Sequence, residues 1–188
     1  MPATRIMLIR HAEKPDDDGR VSGVSAEGTP DPHELTVRGW QRAGALVRFF
    51  APHDERFADA RLATPHTIFA SAVAKHSESL RPEHTVLELA TVLDLLLVLS
   101  HPKGDEAALV AAALSADGPV LIAWEHEAIP DIANRLLGNT ASCPQAWPGA
   151  RFDLVWVFDR RDESDVWSFA QVPQLLLSGD SAQPIPSS

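Results

Sequence analysis

The chain is poor in cysteine, in positive charge and in long apolar runs, and each shortage excludes something. With one cysteine, Cys143, among 188 residues, no internal disulfide and no cysteine-based zinc cluster can form, so a reducing compartment is expected. Cys143 itself reads as an ordinary buried or loop thiol. Lys and Arg number 16 against 26 Asp and Glu, a net charge of −10, which argues against general binding to nucleic acid or an anionic membrane. One local cationic pocket remains compatible with that balance. The apolar run Ile6 to Ile9 is too short for a signal-peptide core, and Asp94 interrupts the longest apolar stretch well before membrane-spanning length. A cytoplasmic protein is expected. There is no His-Glu-x-x-His spacing and no cluster that calls for a metal, so neither metal nor cofactor is expected.

What is present is an alternation of short apolar runs with amphipathic segments. "TRIMLI" at 4 to 9 suits a strand buried on both faces. A long Asp-, Gly-, Ser- and Pro-rich loop at 12 to 35 follows, of a kind that is usually functional or disordered. Thr36 is placed to cap a helix in "VRGWQRAGALVRFF". "HTIFAS" at 66 to 71 reads as a second strand, and "SESLRPEHTVLELATVL" as a helix with Ser77 or Ser79 near its start and Pro82 in its first turn. The spacing predicts a strand for "LDLLLVL" at 93 to 99, a helix in "GDEAALVAAALSADG", a strand in "PVLIAW" at 119 to 124, and a helix ending at Gly138. "RFDLVWVFD" and "DVWSFAQV", joined by the polar "RRDES", read as an antiparallel hairpin. The expected fold is α/β, a three-layer α/β/α sandwich on a mostly parallel sheet closed by that C-terminal hairpin. One domain over 1–177 and a flexible tail at 178–188 complete the expectation.

In such sheets ligands bind outside the carboxyl ends of the strands. His11 and His126 each directly follow an apolar strand, Arg10 comes with the first, and Arg81 starts the helix after the strand at 66 to 71. These residue types suit phosphoryl chemistry. Arginine matches phosphate oxygens bidentately and stays charged, an imidazole nitrogen can attack phosphorus, and a helix N-terminus adds backbone donors. A leaving alkoxide further needs a proton from a nearby carboxyl group. His33, His53, His66, His76, His84 and His101 read as solvated loop or helix residues, and Lys14 as a surface lysine within reach of a substrate phosphate. The tryptophans Trp40, Trp124, Trp147, Trp156 and Trp167 lack interleaved basic residues and are expected in the core, with Trp147 a candidate for the mouth of the site.

"LIRHAEKP" resembles the Arg-His-Gly signature of the histidine phosphatase superfamily, with Ala12 in place of the common Gly. "LTVRGWQRA", "IFASAVAKHSESLRPEHT" and "AWEHEAIPDIANRLLG" resemble that family's later segments in the same order, over nearly the whole chain. The resemblance implies a phosphoglycerate-mutase-like fold, His11 as a phosphorylated nucleophile, and Arg10, Arg81 and His126 as the phosphate pocket. By position after the second histidine it implies Glu127 as general acid, with Asp105 and Glu106 the candidates of the mutase-like branch and Glu13 an outsider. The expected activity is a cofactor-independent phosphohydrolase acting on a small phosphorylated substrate. A phosphate-binding module without turnover, a phosphoglycerate-type mutase and a protein phosphohistidine phosphatase are the alternatives. Substrate identity and oligomeric state are not legible in the sequence.

Overall fold

The computed structural model describes residues 4–16, 18–75, 77–160 and 166–186. The strands are β1 (Arg5–Arg10), β2 (Thr67–Ala70), β3 (Val120–Trp124), β4 (Leu154–Arg160) and β5 (Trp167–Pro173). They form one sheet in the order β2-β3-β1-β4-β5, with β2, β3 and β1 parallel and β4 and β5 antiparallel. The helices are α1 (Val37–Phe50), α2 (Arg81–Val92), α3 (Glu106–Ser115) and α4 (Ile129–Leu137).

Strand alternation explains the layers. Met7, Ile9, Ile68, Ala70, Leu121 and Ala123 face α1 and α2, where Leu46, Phe50, Val86 and Leu89 cover them. Ile6, Leu8, Phe69, Val120, Ile122 and Trp124 face α3 and α4, against Leu109, Ala113, Ile132 and Leu136. Both faces of the parallel strands are therefore dry, which is why the runs from Ile6 to Ile9 and from Val120 to Trp124 are apolar without alternation. Each Val, Leu, Ile, Met or Phe side chain among them contributes about 1.5–3 kcal/mol of burial. The result is the expected α/β/α sandwich.

Local signals set the ends that matter for the site. Thr36 Oγ1 accepts from Gly39 N at 3.1 Å and donates to the Glu13 carbonyl at 3.2 Å, so the cap of α1 also holds the loop after β1. A Cβ at Gly39 would lie 2.6 Å from that same carbonyl, so only glycine permits the approach. Helix α2 starts at Arg81 rather than at Ser77 or Ser79. Pro82 can occupy only the first turn, and no side chain caps the end.

Three expectations change. The segment 93–99 is not a strand of the sheet. Leu93, Leu95, Leu97 and Leu99 do turn toward the core, but only Val98 bridges to Phe69 of β2, and Leu96 is 93% exposed. The chain after β5, expected as a flexible tail from 178, makes packing and hydrogen-bond contacts as far as Ile185. Asp180 accepts from Arg42 and from the Leu176 and Leu177 amides, while buried Ile185 exchanges two hydrogen bonds with Gln171 at 2.8 and 2.9 Å. Trp147 is a core residue stacked 5.1 Å from Trp156, not a rim residue. His76, residues 161–164 of the "RRDES" turn and the last two residues of the expected tail lie outside the described residues.

Candidate active site

The parallel register Arg10↔Trp124 and Ala70↔Ala123 brings the C-terminal ends of β1, β3 and β2 side by side. Arg10 and His11, then Glu125 and His126, then Ser71 emerge there in adjacent positions. The His11 amide continues the ladder to the Trp124 carbonyl at 3.0 Å, so the nucleophile candidate leaves β1 on a fixed path. The next residue is tied to α2, because Thr85 Oγ1 accepts from Ala12 N at 2.8 Å and donates to the Arg81 carbonyl at 2.6 Å. One threonine thus fixes the first turn of α2 against the residue following His11.

Arg10 is 1% exposed. Its Nη1 donates to the carbonyls of Gly149 at 2.6 Å and Arg151 at 3.0 Å, and its guanidinium carbon lies 3.8 Å over the Phe152 ring. Its Nε and Nη2 have no hydrogen-bond partner among the described residues. Arg81 is similar: Nη1 donates to the Pro32 carbonyl at 3.0 Å, and Nε is buried without a partner among those residues. Each arginine is thus steered by carbonyls on one edge and left unsatisfied on the other. Buried charged donors are rarely left so without a ligand to meet.

His11 Nδ1 lies 2.7 Å from the Ala12 carbonyl, an acceptor only, so Nδ1 carries the proton and Nε2 presents its lone pair. Burial and then Arg10 push the imidazole down to about 3, with Arg81 and His126 acting the same way, so it is neutral at any ordinary pH. Burial lowers Arg10 to about 10, with Arg81 adding to the effect, and burial likewise lowers Arg81. Burial and then Arg10 lower His126. A Cβ at Gly149 would lie 3.8 Å from His126 Nε2, and the Gly149 carbonyl is the one that receives Arg10. The structure therefore brings Arg10, His11, Arg81 and His126 into one electropositive crevice on a chain of net charge −10.

The carboxyl candidates separate cleanly. Glu127 is exposed and paired with Lys103 Nζ at 2.8 Å, which holds its carboxyl below the usual range. Asp105 faces His101 at 3.4 Å. Glu106 Oε1 accepts from Trp124 Nε1 at 3.1 Å and Gly104 N at 2.9 Å. Glu13 accepts from Arg42 at 2.8 Å and Arg38 at 3.1 Å. Glu125, which the sequence reading passed over, is buried beside the unpartnered Ser71 hydroxyl. An acidic residue ending a fully apolar strand, one position before His126, was the signal available for it. Phe152 and Gly149 carried none, since only the fold brings that loop to Arg10.

Among the described residues, no group of three or more His, Cys, Asp or Glu side chains is placed to hold a metal ion, and no helix is long and apolar enough to cross a membrane. No family model and no curated protein sequence matches the chain. Solved structures do match. The SixA protein of Agrobacterium tumefaciens is 16% identical over 90% of this chain and 97% of its own, with a TM-score of 0.52. The protein histidine phosphatase SixA complexed with tungstate is 17% identical over 90% and 97%, with a TM-score of 0.53. The mycobacterial glucosyl-3-phosphoglycerate phosphatase Rv2419c, complexed with VO3, is 14% identical over 89% and 97%, with a TM-score of 0.51. The chain therefore shares the fold of these solved structures, the phosphoglycerate-mutase-like fold, on a sheet of order β2-β3-β1-β4-β5.

Proposed function

We propose that the protein is a phosphohydrolase that cleaves small phosphomonoesters through a covalent phosphohistidine on His11. The observation that carries this reading is the set of buried N–H groups of Arg10 and Arg81 without a hydrogen-bond partner among the described residues, beside a neutral imidazole whose Nδ1 proton is directed at the Ala12 carbonyl. A phosphoryl dianion satisfies all of these at once. Its oxygens accept from Arg10 Nε and Nη2 and from Arg81 Nε, while Nε2 of His11 attacks phosphorus opposite the leaving oxygen. Bound negative charge also reverses the mutual repulsion among the four groups. His126, whose imidazole burial and Arg10 otherwise hold low, then takes up a proton and becomes a further donor to the transferring group. Donors fixed before the reaction and aimed at developing charge each contribute about 10²–10³ in rate. The tungstate and VO3 complexes of the two similar structures fit a crevice built for tetrahedral or trigonal oxyanions.

A second reading, an oxyanion-binding module without turnover, draws on one specific observation: Glu127, the expected acid, is exposed and held ionised by Lys103. Rapid-quench trapping distinguishes the two. With 4-nitrophenyl phosphate and an alkaline quench, the peptide containing His11 gains one acid-labile phosphoryl group, and His11→Ala abolishes both the label and at least about 10³-fold of kcat/KM. A wild-type protein that binds phosphate, accumulates no label and releases no 4-nitrophenol is the binding module instead.

A further inference from the structure

The crevice contains a carboxyl group that makes no hydrogen bond among the described residues. Glu125 directly follows β3, and the register places it opposite His11, one step beyond the pair Arg10↔Trp124. The residue is 9% exposed, and both carboxyl oxygens lack a hydrogen-bond partner among the described residues. The Ser71 hydroxyl at the end of β2 lacks one too. An ionised carboxylate buried without donors is costly, whereas a protonated one beside a bound ester has an oxygen to donate to. Glu127, Asp105, Glu106 and Glu13 are each committed to Lys103, His101, Trp124 and Arg42 respectively.

We infer that Glu125 is the general acid of this site, and that alkyl phosphomonoesters, whose alkoxides cannot leave unprotonated, are its substrate class. The inference rests on the phosphohydrolase reading. As His11 Nε2 forms its bond to phosphorus, the bond from phosphorus to the ester oxygen breaks and the Glu125 proton passes to that oxygen, releasing an alcohol. The Glu125 carboxylate then takes a proton from the water that attacks phosphorus. The bond between phosphorus and nitrogen breaks, inorganic phosphate departs, and His11 and the protonated Glu125 are restored. Burial pushes the Glu125 carboxyl up and Glu106 of α3 adds to it. Its own backbone N–H, the Ser71 hydroxyl and Lys103 oppose this without closing a hydrogen bond to it. Arg81 of α2 is a further charged neighbour, its guanidinium favoured by the Glu125 charge.

The test compares kcat/KM for glycerol 2-phosphate, an alkyl ester, with that for 4-nitrophenyl phosphate, whose leaving group needs little help. Glu125→Gln is expected to lower the alkyl-to-aryl ratio by about 10²-fold or more, the usual contribution of a positioned acid. Glu125→Asp should recover part of it. In the wild type, activity on glycerol 2-phosphate should fall as pH rises through the Glu125 pKa, a limb absent with 4-nitrophenyl phosphate. This profile serves if the Gln variant does not fold. Equal losses on both esters, or the same alkaline limb on both, overturn the inference. So does a wild type that turns over only the aryl ester, which leaves the phosphohydrolase reading standing. A wild type that hydrolyses neither and forms no label on His11 overturns both.

Discussion

Arg42 offers the sharpest test of how the loop after β1 is held. It is 2% exposed and donates to Glu13 at 2.8 Å, to Asp180 at 2.7 Å and to Gln174 at 2.8 Å. Arg42→Met leaves the buried Asp180 carboxylate with two backbone amides and the half-exposed Arg38 at 3.6 Å, and leaves Glu13 with that same Arg38. Removing one partner from a buried ion pair costs about 3–5 kcal/mol. At about 2.1 cal/mol/K per residue, unfolding this 188-residue chain releases about 0.4 kcal/mol/K, so Tm should drop by about 8–13 °C. The pH dependence has a definite sign. Burial alone would raise the Asp180 carboxyl, but Arg42 and the Leu176 and Leu177 amides outweigh it and lower it. Its stabilisation is therefore complete above the unfolded value near about 4 and is lost as pH falls through the folded one. The gap between wild type and variant should be widest near neutrality and should narrow in acid. Urea unfolding at several pH values measures both. A loss below about 1 kcal/mol at pH 7, or a gap that widens in acid, would refute the reasoning.

Other consequences are more local. Thr85→Val removes the acceptor for Ala12 N and should cost about 1–3 kcal/mol in urea unfolding, together with a fall in turnover, because the two ends of the crevice lose their link. Glu106→Ala strands the buried Trp124 Nε1 and should cost a similar about 1–3 kcal/mol. Leu96→Lys, at a position 93% exposed, should shift stability by no more than about 0.5 kcal/mol despite its apolar surroundings in sequence. His11 is lowered to about 3 when folded against about 6.5 unfolded, so the protein should lose stability as pH falls across that window, at up to about 1.4 kcal/mol per unit. His11→Asn should flatten that slope in phosphate-free buffer.

Much of this architecture was legible because burial on both faces leaves an unmistakable mark. The runs from Ile6 to Ile9 and from Val120 to Trp124 have no polar position, and the charged residues that follow them stand in the crevice for that reason. The segment at 93–99 misled because its leucines do alternate toward the core, while ladder hydrogen bonds, which composition does not report, form only around Val98. The C-terminal stretch misled in the opposite direction. Its polar composition conceals one anchor, Ile185, and one carboxylate, Asp180, whose partner Arg42 lies 138 residues away. Among the acids, chain order pointed to Glu127, but burial and pairing are properties of the fold. A lysine from the turn before α3 takes Glu127, and the strand end shelters Glu125.

The central claim is that the unsatisfied edges of Arg10 and Arg81 and the free nitrogen of His11 converge on a single oxyanion. A crystal soaked in tungstate, with the metal located by anomalous scattering, tests it directly. The account predicts one dominant tungsten position at His11 Nε2, with oxygens in hydrogen-bond reach of Arg10 Nε and Nη2 and Arg81 Nε. Tungstate bound elsewhere on the molecule, with the crevice free of it at saturating concentration, would contradict the account.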